Sequence, residues 1–374
     1  MAVIQIPTTM LQRAVKVGRK FQNPVPTAVG GPGMIFKILP RLIANREGRV
    51  PKRPLGPFRT DAAVYESPAA SGLRVTGLRV TWFGHSSMLL EIDGVRVLID
   101  PVWDERASPQ QWVGPKRFFA PTLALEELPR LDAVLLSHDH YDHLGEGTVR
   151  RLAALRPETP WVTSLGVGAI LRQFGVGAER ITELDWTESV TVSGAEGAAC
   201  EITSLPARHF SGRSLGNRFE TLWASFVLRG VGAGSAGVSG GRGHSVYFGA
   251  DSGWWEGFAE IGAAYGPFDL TVLEIGAFDE MWARIHLGPD GAARAFQAIA
   301  GAGDGAGDSG SSAAGLLMPI HWGLFDLALH AWRQPIERLT ELADADGLRL
   351  WSPEPGRPTE VVRGVELRSG WWRR

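Results

Sequence analysis

The chain has 374 residues, of which 44% are hydrophobic and 21% are charged, and its formal net charge is −2. This composition is typical of a globular protein with a sizeable core and excludes a disordered or fibrous chain. No apolar stretch approaches the roughly 20 residues that a membrane-spanning helix needs. The single cysteine, Cys200, excludes an intrachain disulfide, and we interpret it as a small buried apolar residue. In the absence of a signal-peptide pattern, we expect a cytoplasmic protein.

Positive charge is concentrated at the N-terminus. Residues 1–58 contain ten Lys and Arg residues and a single acidic residue, Glu47, whereas the rest of the chain has 28 basic and 39 acidic residues. We therefore expect residues 1–58 to form a basic N-terminal arm packed on or near a main domain of residues 59–374. The apolar and basic segment Met34–Ile43 also allows peripheral contact with an anionic membrane, although a packed strap is the favoured interpretation.

Short strands open the main domain. Residues 79–83, 88–92 and 95–99 have strand character, and Asp93-Gly94 predicts a hairpin turn between the last two segments. The apolar run 133–136 predicts a buried strand. Further strands are expected at 161–164, 189–193, 199–204, 222–229, 245–249, 269–275 and 316–320, and helices near 146–155, 289–300 and 334–345.

Strands followed by strands mixed with helices predict an α+β fold, in which two sheets are covered by outer helices. Two tracts, Gly230–Gly243 and Gly301–Gly315, are rich in Gly, Ser and Ala. Each separates neighbouring elements of the same pattern, so we interpret both as surface loops and not as domain linkers.

A dense histidine cluster follows the strand at 133–136. The run His138-Asp139-His140-Tyr141-Asp142-His143 has three histidines and two aspartates in six positions, which packing alone seldom produces. Alternate side chains of an extended segment share a side, so His138 and His140 can bind one ion while the next turn directs Asp142 and His143 to a second. Imidazole and carboxylate are ligands that zinc-class divalent ions prefer. The run therefore predicts a two-metal site.

Three more candidate ligands follow apolar runs later in the chain, namely His209, Asp251 and His321. Each of them alone has an ordinary structural interpretation, as a buried histidine or as an Asx turn. Because all three stand at equivalent strand exits, we expect them to complete the two coordination shells.

This ligand series resembles that of the metallo-β-lactamase-fold hydrolases. More narrowly, the segments Trp82–Ser87, Asp100–Trp103, Ile275–Ala277 and His321–Gly323 are similar to the N-acylphosphatidylethanolamine-hydrolysing phospholipase D branch. The resemblance runs from about Phe21 to the C-terminus. It implies a four-layer αββα sandwich with the site at one edge of the two sheets.

The resemblance also implies how two divalent ions would be shared, with zinc as the expected metal and manganese or iron as alternatives. One ion would be held by His138, His140 and His209, the other by Asp142, His143 and His321, with Asp251 bridging both. His85 would support the site from beneath, and His286 would lie beside the substrate. Two positions depart from the branch: Trp254 stands where tyrosine is usual, and Glu274 where proline is usual. Both are expected near the pocket, where they would alter its shape and charge.

The expected chemistry is hydrolysis by a hydroxide that bridges two metal ions. Asp142 and Asp251 are the candidate catalytic residues, Asp251 as the bridge and Asp142 as the group that orients the nucleophile. Arg213 or Arg208 is a candidate for bidentate contact with a substrate phosphate.

The resemblance implies a phosphodiesterase of the phospholipase D type that acts on N-acylphosphatidylethanolamine-like lipids. A lactone or thioester hydrolase is the alternative, because fold and metal pair do not determine the substrate. A metal-binding scaffold without turnover is disfavoured by the complete ligand set. The net acidic main domain argues against a nucleic-acid substrate.

Overall fold

The structure is a computed structural model, and it describes residues 9–30, 40–41, 48–65, 77–214, 216–232, 243–301, 315–362 and 368–374. A small antiparallel hairpin, formed by β1 (Lys16–Val17) and β2 (Lys20–Phe21), precedes the main domain. Most of the segment Met34–Ile43 lies outside the described residues, as do most of the tracts Gly230–Gly243 and Gly301–Gly315.

The first sheet has seven strands in the described part of the chain. They are β3 (Leu78–Gly84), β4 (Ser87–Ile92), β5 (Val95–Ile99), β6 (Ala133–Leu136), β7 (Trp161–Ser164), β8 (Ile181–Leu184) and β15 (Thr359–Glu360). The spatial order is β15-β3-β4-β5-β6-β7-β8, and the pairs from β5 to β8 are parallel. Because β3 and β5 flank the antiparallel β4, the carboxyl ends of β3, β5 and β6 meet at one edge of the sheet.

The second sheet has six strands in the same described part. They are β9 (Ser189–Ser193), β10 (Ala199–Leu205), β11 (Ser225–Gly230), β12 (Ser245–Phe248), β13 (Leu270–Glu274) and β14 (Leu316–Ile320). Their order is β14-β13-β12-β11-β10-β9, with parallel pairing from β12 to β14 and antiparallel pairing elsewhere. The strands β10, β12 and β14 therefore end at a common edge, as their counterparts in the first sheet do.

Five α-helices cover the two sheets in the described residues. They are α1 (Glu146–Leu155), α2 (Val167–Gln173), α3 (Gly257–Tyr265), α4 (Gly288–Gly301) and α5 (Gln334–Asp346). One apolar cluster joins alternate strand residues such as Leu89 and Leu98 to Val149 of α1 and Leu171 of α2. The residues between them point the other way, because the side-chain period of a strand is two.

That second set enters a larger cluster shared by both sheets and by α3, α4 and α5. It contains Leu90 and Val97 of the first sheet, Cys200 and Ile202 of the second, and Phe296 of α4. The order of layers is thus helices, sheet, sheet, helices, and the predicted α+β sandwich is confirmed. Cys200 is buried, as expected.

Most element boundaries agree with the sequence-based prediction. The hairpin turn at Asp93-Gly94 has the positive φ angles that a two-residue hairpin requires, 46° and 88°. The strand predicted at 222–229 begins later, at Ser225, because Leu222 and Trp223 are apolar but belong to a buried loop. The apolar pattern does not predict β8, α2 or α3, which are short. No helix in the described residues is long and apolar enough to cross a membrane.

Residues 9–30 are attached to the main domain at several points. Phe21 is 5% exposed and belongs to the larger core cluster, and its backbone N–H donates to the carbonyl of Phe219 at 2.8 Å. Farther along, the Asn23 side chain donates to the backbone carbonyl of His209 at 2.8 Å. This segment, which we call the strap, thus reaches the loop that carries a predicted metal ligand.

Replacing Phe21 with alanine should lower the free energy of unfolding by about 3 kcal/mol, because it removes a buried aromatic ring and leaves a cavity. The control is Val17→Ala, since Val17 is 64% exposed and should contribute little. Urea denaturation followed by circular dichroism measures both variants. Equal stability of the two variants would show that the strap adds nothing to the core.

Candidate metal centre

Several residues that follow the sheet strands have a strained backbone. His85 follows β3, Asp100 follows β5 and His321 follows β14, and their φ angles are 53°, 40° and 64°. Ala250, just after β12, has a φ of 48°. Left-handed conformations are uncommon for residues other than glycine, and they persist where the surrounding structure imposes them. At these positions the backbone changes direction just after the strand. The polar side chains that follow the strands therefore converge on one region of the molecule.

The first group of candidate ligands joins both sheets. His138 and His140 follow β6, and His209 follows β10. The Nδ1 atom of His140 lies 2.8 Å from Nε2 of His138 and 3.3 Å from Nε2 of His209. Three imidazole nitrogens converge with Asp251 into one group whose ligand atoms lie within 4.8 Å of one another. This is the set that the resemblance implies for one ion.

The second group lies beside the first. The Oδ2 atom of Asp142 is 3.1 Å from Nε2 of His321 and 3.6 Å from Nε2 of His143. His85 approaches the same oxygen, with its Nε2 at 2.9 Å. These four residues form a second set of ligand atoms within 4.8 Å. His85, expected beneath the site, therefore contacts a candidate ligand directly.

Asp251 lies between the two groups. Its Oδ2 atom is 3.8 Å from Nε2 of His138 and 3.6 Å from Nε2 of His209 in the first group. In the second group it is 3.3 Å from Nε2 of His143 and 3.1 Å from Nε2 of His321. The other oxygen, Oδ1, is buried without a hydrogen-bond partner among the described residues. A carboxylate in this position fits a ligand shared by two cations, since an unpaired buried oxygen is otherwise costly.

Hydrogen bonds behind the ligands orient the rings. The buried carboxylate of Asp100 accepts from His143 Nδ1 at 2.7 Å and from the Ser137 hydroxyl at 2.7 Å. The Ser137 oxygen in turn lies 2.9 Å from His138 Nδ1, and His209 Nδ1 donates to the carbonyl of Ile285 at 2.8 Å. Each of these contacts occupies Nδ1 and leaves Nε2 for the centre. No local pattern in the sequence indicates this role for Ser137 or Asp100, although Asp100 follows a strand as the candidate ligands do.

The pKa values show how the buried charges are balanced. Burial lowers the pKa of His138 and of His209 well below the ordinary value, so both rings are neutral at pH 7. Burial also opposes charge on His143 and His321, but the neighbouring carboxylates, Asp251 foremost, raise the pKa of His143 far above its ordinary value and that of His321 to about 10. The donor set therefore favours positive charge beside Asp251, which a divalent cation would supply in exchange for protons.

A cavity of about 250 Å³ opens onto the two groups. His140, Asp142, Asp251 and His321 form its polar floor. The rest of the lining is largely apolar and includes Val29, Phe210, Ala277, Trp282, Ile285 and Leu327, with His286 and Arg218 among them. His286 thus lines the cavity that opens onto the two ligand groups. The cavity wall includes Val29 and Gly30 of the strap, which no local sequence signal indicated.

Neither arginine proposed from the sequence lines this cavity. The Arg213 guanidinium donates to the carbonyls of Asp139 and Leu144 and stacks 3.9 Å above the ring of Tyr141. The Arg208 guanidinium donates to Thr27 Oγ1 and to the carbonyl of Trp254. Both guanidinium groups therefore link loops of the protein, because their N–H donors are hydrogen-bonded to acceptors in those loops. Arg218 occupies the cavity wall instead.

The two departures from the branch lie in different places. Trp254 packs on Phe258 and beneath Arg294, and it does not line the cavity, contrary to expectation. Glu274 is fully buried behind His286, whose Nδ1 donates to it at 2.8 Å. This contact leaves Nε2 of His286 as the available nitrogen.

The protein-family model described as beta-lactamase superfamily domain matches residues 95–322. Among curated proteins, an uncharacterized protein of Mycobacterium tuberculosis is 45% identical over 296 residues, which cover 79% of this chain and 72% of that protein. The N-acyl-phosphatidylethanolamine-hydrolyzing phospholipase D 1 of Caenorhabditis elegans is 32% identical over 344 residues, with 89% of each chain covered. Among solved structures, the isothiocyanate hydrolase from Delia radicum gut bacteria gives a TM-score of 0.53 at 18% identity, covering 76% of this chain and 100% of that chain.

The structural likeness supports the fold alone, whereas the family model covers more than half of the chain. The chain belongs to the beta-lactamase superfamily and is a metal-dependent hydrolase of the metallo-β-lactamase fold. Its similarity to the worm phospholipase D extends over most of both chains and agrees with the branch resemblance of the sequence.

Replacing Asp100 with asparagine should weaken zinc binding roughly 10- to 100-fold, because the carboxylate that orients His143 and Ser137 is lost. Zinc affinity is measured by competition with a chromogenic chelator. Asp104→Asn is the matched control, since Asp104 accepts from the N–H groups of Gly147 and Thr148 at the start of α1. The control should lose stability but keep its zinc affinity, and equal affinities for all three proteins would contradict the orienting role.

Proposed function

We propose that the chain is a two-metal phosphodiesterase of the phospholipase D type that acts on N-acylphosphatidylethanolamine-like lipids. The observation that carries this proposal is the placement of two ligand groups, joined by Asp251, on the floor of a cavity with mainly apolar walls. In a substrate that is a phosphodiester with an apolar part, the phosphate would face the ligand groups and the apolar part would contact the walls. The similarity to relatives named as N-acyl-phosphatidylethanolamine-hydrolyzing phospholipases D, from Caenorhabditis elegans and yeast, supports it.

Two divalent ions, with zinc the preferred metal for this donor set, would supply Lewis-acid activation of water and of the phosphoryl oxygens. Asp251 provides the shared negative charge between the two ligand groups. The Oδ2 atom of Asp142 lies 2.9 Å from Nε2 of His85, and this contact holds the carboxylate at the cavity floor to orient the attacking water. His286, fixed through Nδ1 by Glu274, presents its other nitrogen for contact with the substrate.

The apolar walls suit the acyl and glyceride parts of a lipid. When such a group enters, its apolar surface is buried against Phe210, Trp282, Ile285 and Leu327 and is removed from water. This burial is the main source of affinity in apolar pockets. Basic residues of the N-terminal arm would attract the enzyme to an anionic membrane surface from the cytoplasmic side.

Zinc-supplemented protein should contain up to two zinc ions per chain. Asp251→Asn should lower this content and reduce turnover at least 100-fold while the fold survives, because it removes negative charge from between two cations. Elemental analysis and thermal unfolding are the measurements. A matched control is Asp269→Asn, which alters a buried carboxylate directly before β13, at the end of that strand opposite the site. Full metal content and activity in Asp251→Asn would show that Asp251 is not the bridge.

The substrate class is tested with four substrates under the same conditions: N-acylphosphatidylethanolamine in anionic vesicles, a soluble bis(p-nitrophenyl) phosphate, a lactone and a thioester. We expect hydrolysis of both phosphodiesters. Raising the salt concentration should slow only the vesicle reaction, since screening weakens attraction between exposed, separated charges.

Efficient turnover of the lactone or thioester without any phosphodiester hydrolysis would instead assign the alternative function. No turnover of any of the four substrates by fully metal-loaded protein would favour a metal-binding scaffold. An equal salt effect on both phosphodiesters would contradict attraction to the membrane.

A further inference from the structure

Arg218 is the one lysine or arginine that lines the cavity among the described residues. Its side chain is half-buried, and burial lowers the pKa of its guanidinium from the ordinary value, although the group stays charged at pH 7. Burial of a cation is unfavourable unless an anion or several acceptors compensate it. Because the Arg218 guanidinium has lost part of its contact with water, an anion bound in the cavity would compensate that loss.

Contacts within the protein meet only part of that need. Arg218 Nη1 donates to the carbonyl of Gly30 at 3.0 Å, and the guanidinium stacks 4.8 Å from the centre of the Phe210 ring. The described residues include no carboxylate paired with it, and one hydrogen bond uses one of five N–H donors. The stacking and the single hydrogen bond fix the plane of the group while other donors remain available to the cavity.

The net charge of the residues and ions at the cavity also favours an anionic partner for Arg218. The acidic residues in its lining are Asp142 and Asp251, both candidate metal ligands. Their two negative charges cancel half of the charge of two divalent ions, and Arg218 adds to the remaining positive charge. A phosphodiester anion would reduce this positive charge, whereas a neutral lactone or ester would not.

We propose that Arg218 binds an anionic phosphate oxygen of the substrate and that the strap positions it for this contact. The inference rests on the phosphodiesterase function proposed above and names the residue that distinguishes anionic from neutral substrates. The guanidinium forms charge-assisted hydrogen bonds to the non-bridging oxygen, which are the strong class for phosphate recognition.

The strap has the anchors that this role requires. Phe21 is buried in the core, Asn23 donates to the carbonyl of His209, and Thr27 accepts from Arg208. Gly30 follows three residues after Thr27 and supplies the carbonyl that Arg218 contacts. A segment fixed at these points before it reaches the cavity can hold an arginine in one orientation, which lowers the entropy lost on binding.

The test compares zinc-loaded wild type with Arg218→Ala and Arg218→Gln. Gln removes the charge but keeps a donor for the Gly30 carbonyl, so it serves if the alanine variant is unstable. Isothermal titration calorimetry measures binding of diethyl phosphate, an anion, and of triethyl phosphate, its neutral counterpart. We expect both variants to bind diethyl phosphate roughly 10- to 100-fold more weakly, with the binding of triethyl phosphate unchanged.

Arg284→Ala is the matched control, because Arg284 is exposed and does not line the cavity. It should retain the binding of both ligands. In steady-state assays with bis(p-nitrophenyl) phosphate, the Arg218 variants should show a raised KM at unchanged zinc content. Diethyl phosphate binding as tight as in wild type, or an equal loss for the neutral ligand, would overturn the proposal. If wild type binds diethyl phosphate through Arg218 yet hydrolyses no phosphodiester, the proposed function fails while the anion contact stands.

Discussion

The contact between Asp251 and four histidines joins the two halves of the molecule. His138 and His143 follow a strand of the first sheet, and His209 and His321 follow strands of the second. Their rings surround one carboxylate that is only 3% exposed as a residue. Buried charges at this density are tolerated only if opposite charges lie next to them, so the two sheets must keep their relative position for the site to exist.

The need to keep the histidine rings in fixed positions around Asp251 explains the hydrogen bonds behind the ligands. Asp100 orients His143 directly and His138 through Ser137, while the carbonyl of Ile285 orients His209. Of these partners, Asp100 has the left-handed backbone described above, and Ser137 directly follows β6. Rings held through Nδ1 lose little freedom when Nε2 meets a cation, and such support is a general feature of metal sites.

The cavity surrounds this centre with mainly apolar walls. Its apolar wall is assembled from separate loops and from the strap, in which Asn23 contacts the carbonyl of His209 and Gly30 contacts Arg218. The N-terminal arm thus has a second role beside any attraction to membranes, because its described part forms a portion of the cavity wall. Loss of the arm is therefore expected to affect soluble substrates as well as membrane-bound ones.

The sequence by itself predicted the candidate ligands and most of the strands along the chain. Local features can be recognised in the sequence alone. Examples are the dense run His138–His143 and the apolar runs that precede His209, Asp251 and His321. What only the tertiary structure decided were contacts between distant segments. Arg213 was the sequence candidate for the substrate, yet its donors meet the carbonyls of Asp139 and Leu144, while Arg218 lines the cavity beside Gly30. The neighbouring residues in the sequence do not show which acceptors an arginine contacts. Its role depends on the acceptors that folding brings within about 3 Å of its guanidinium.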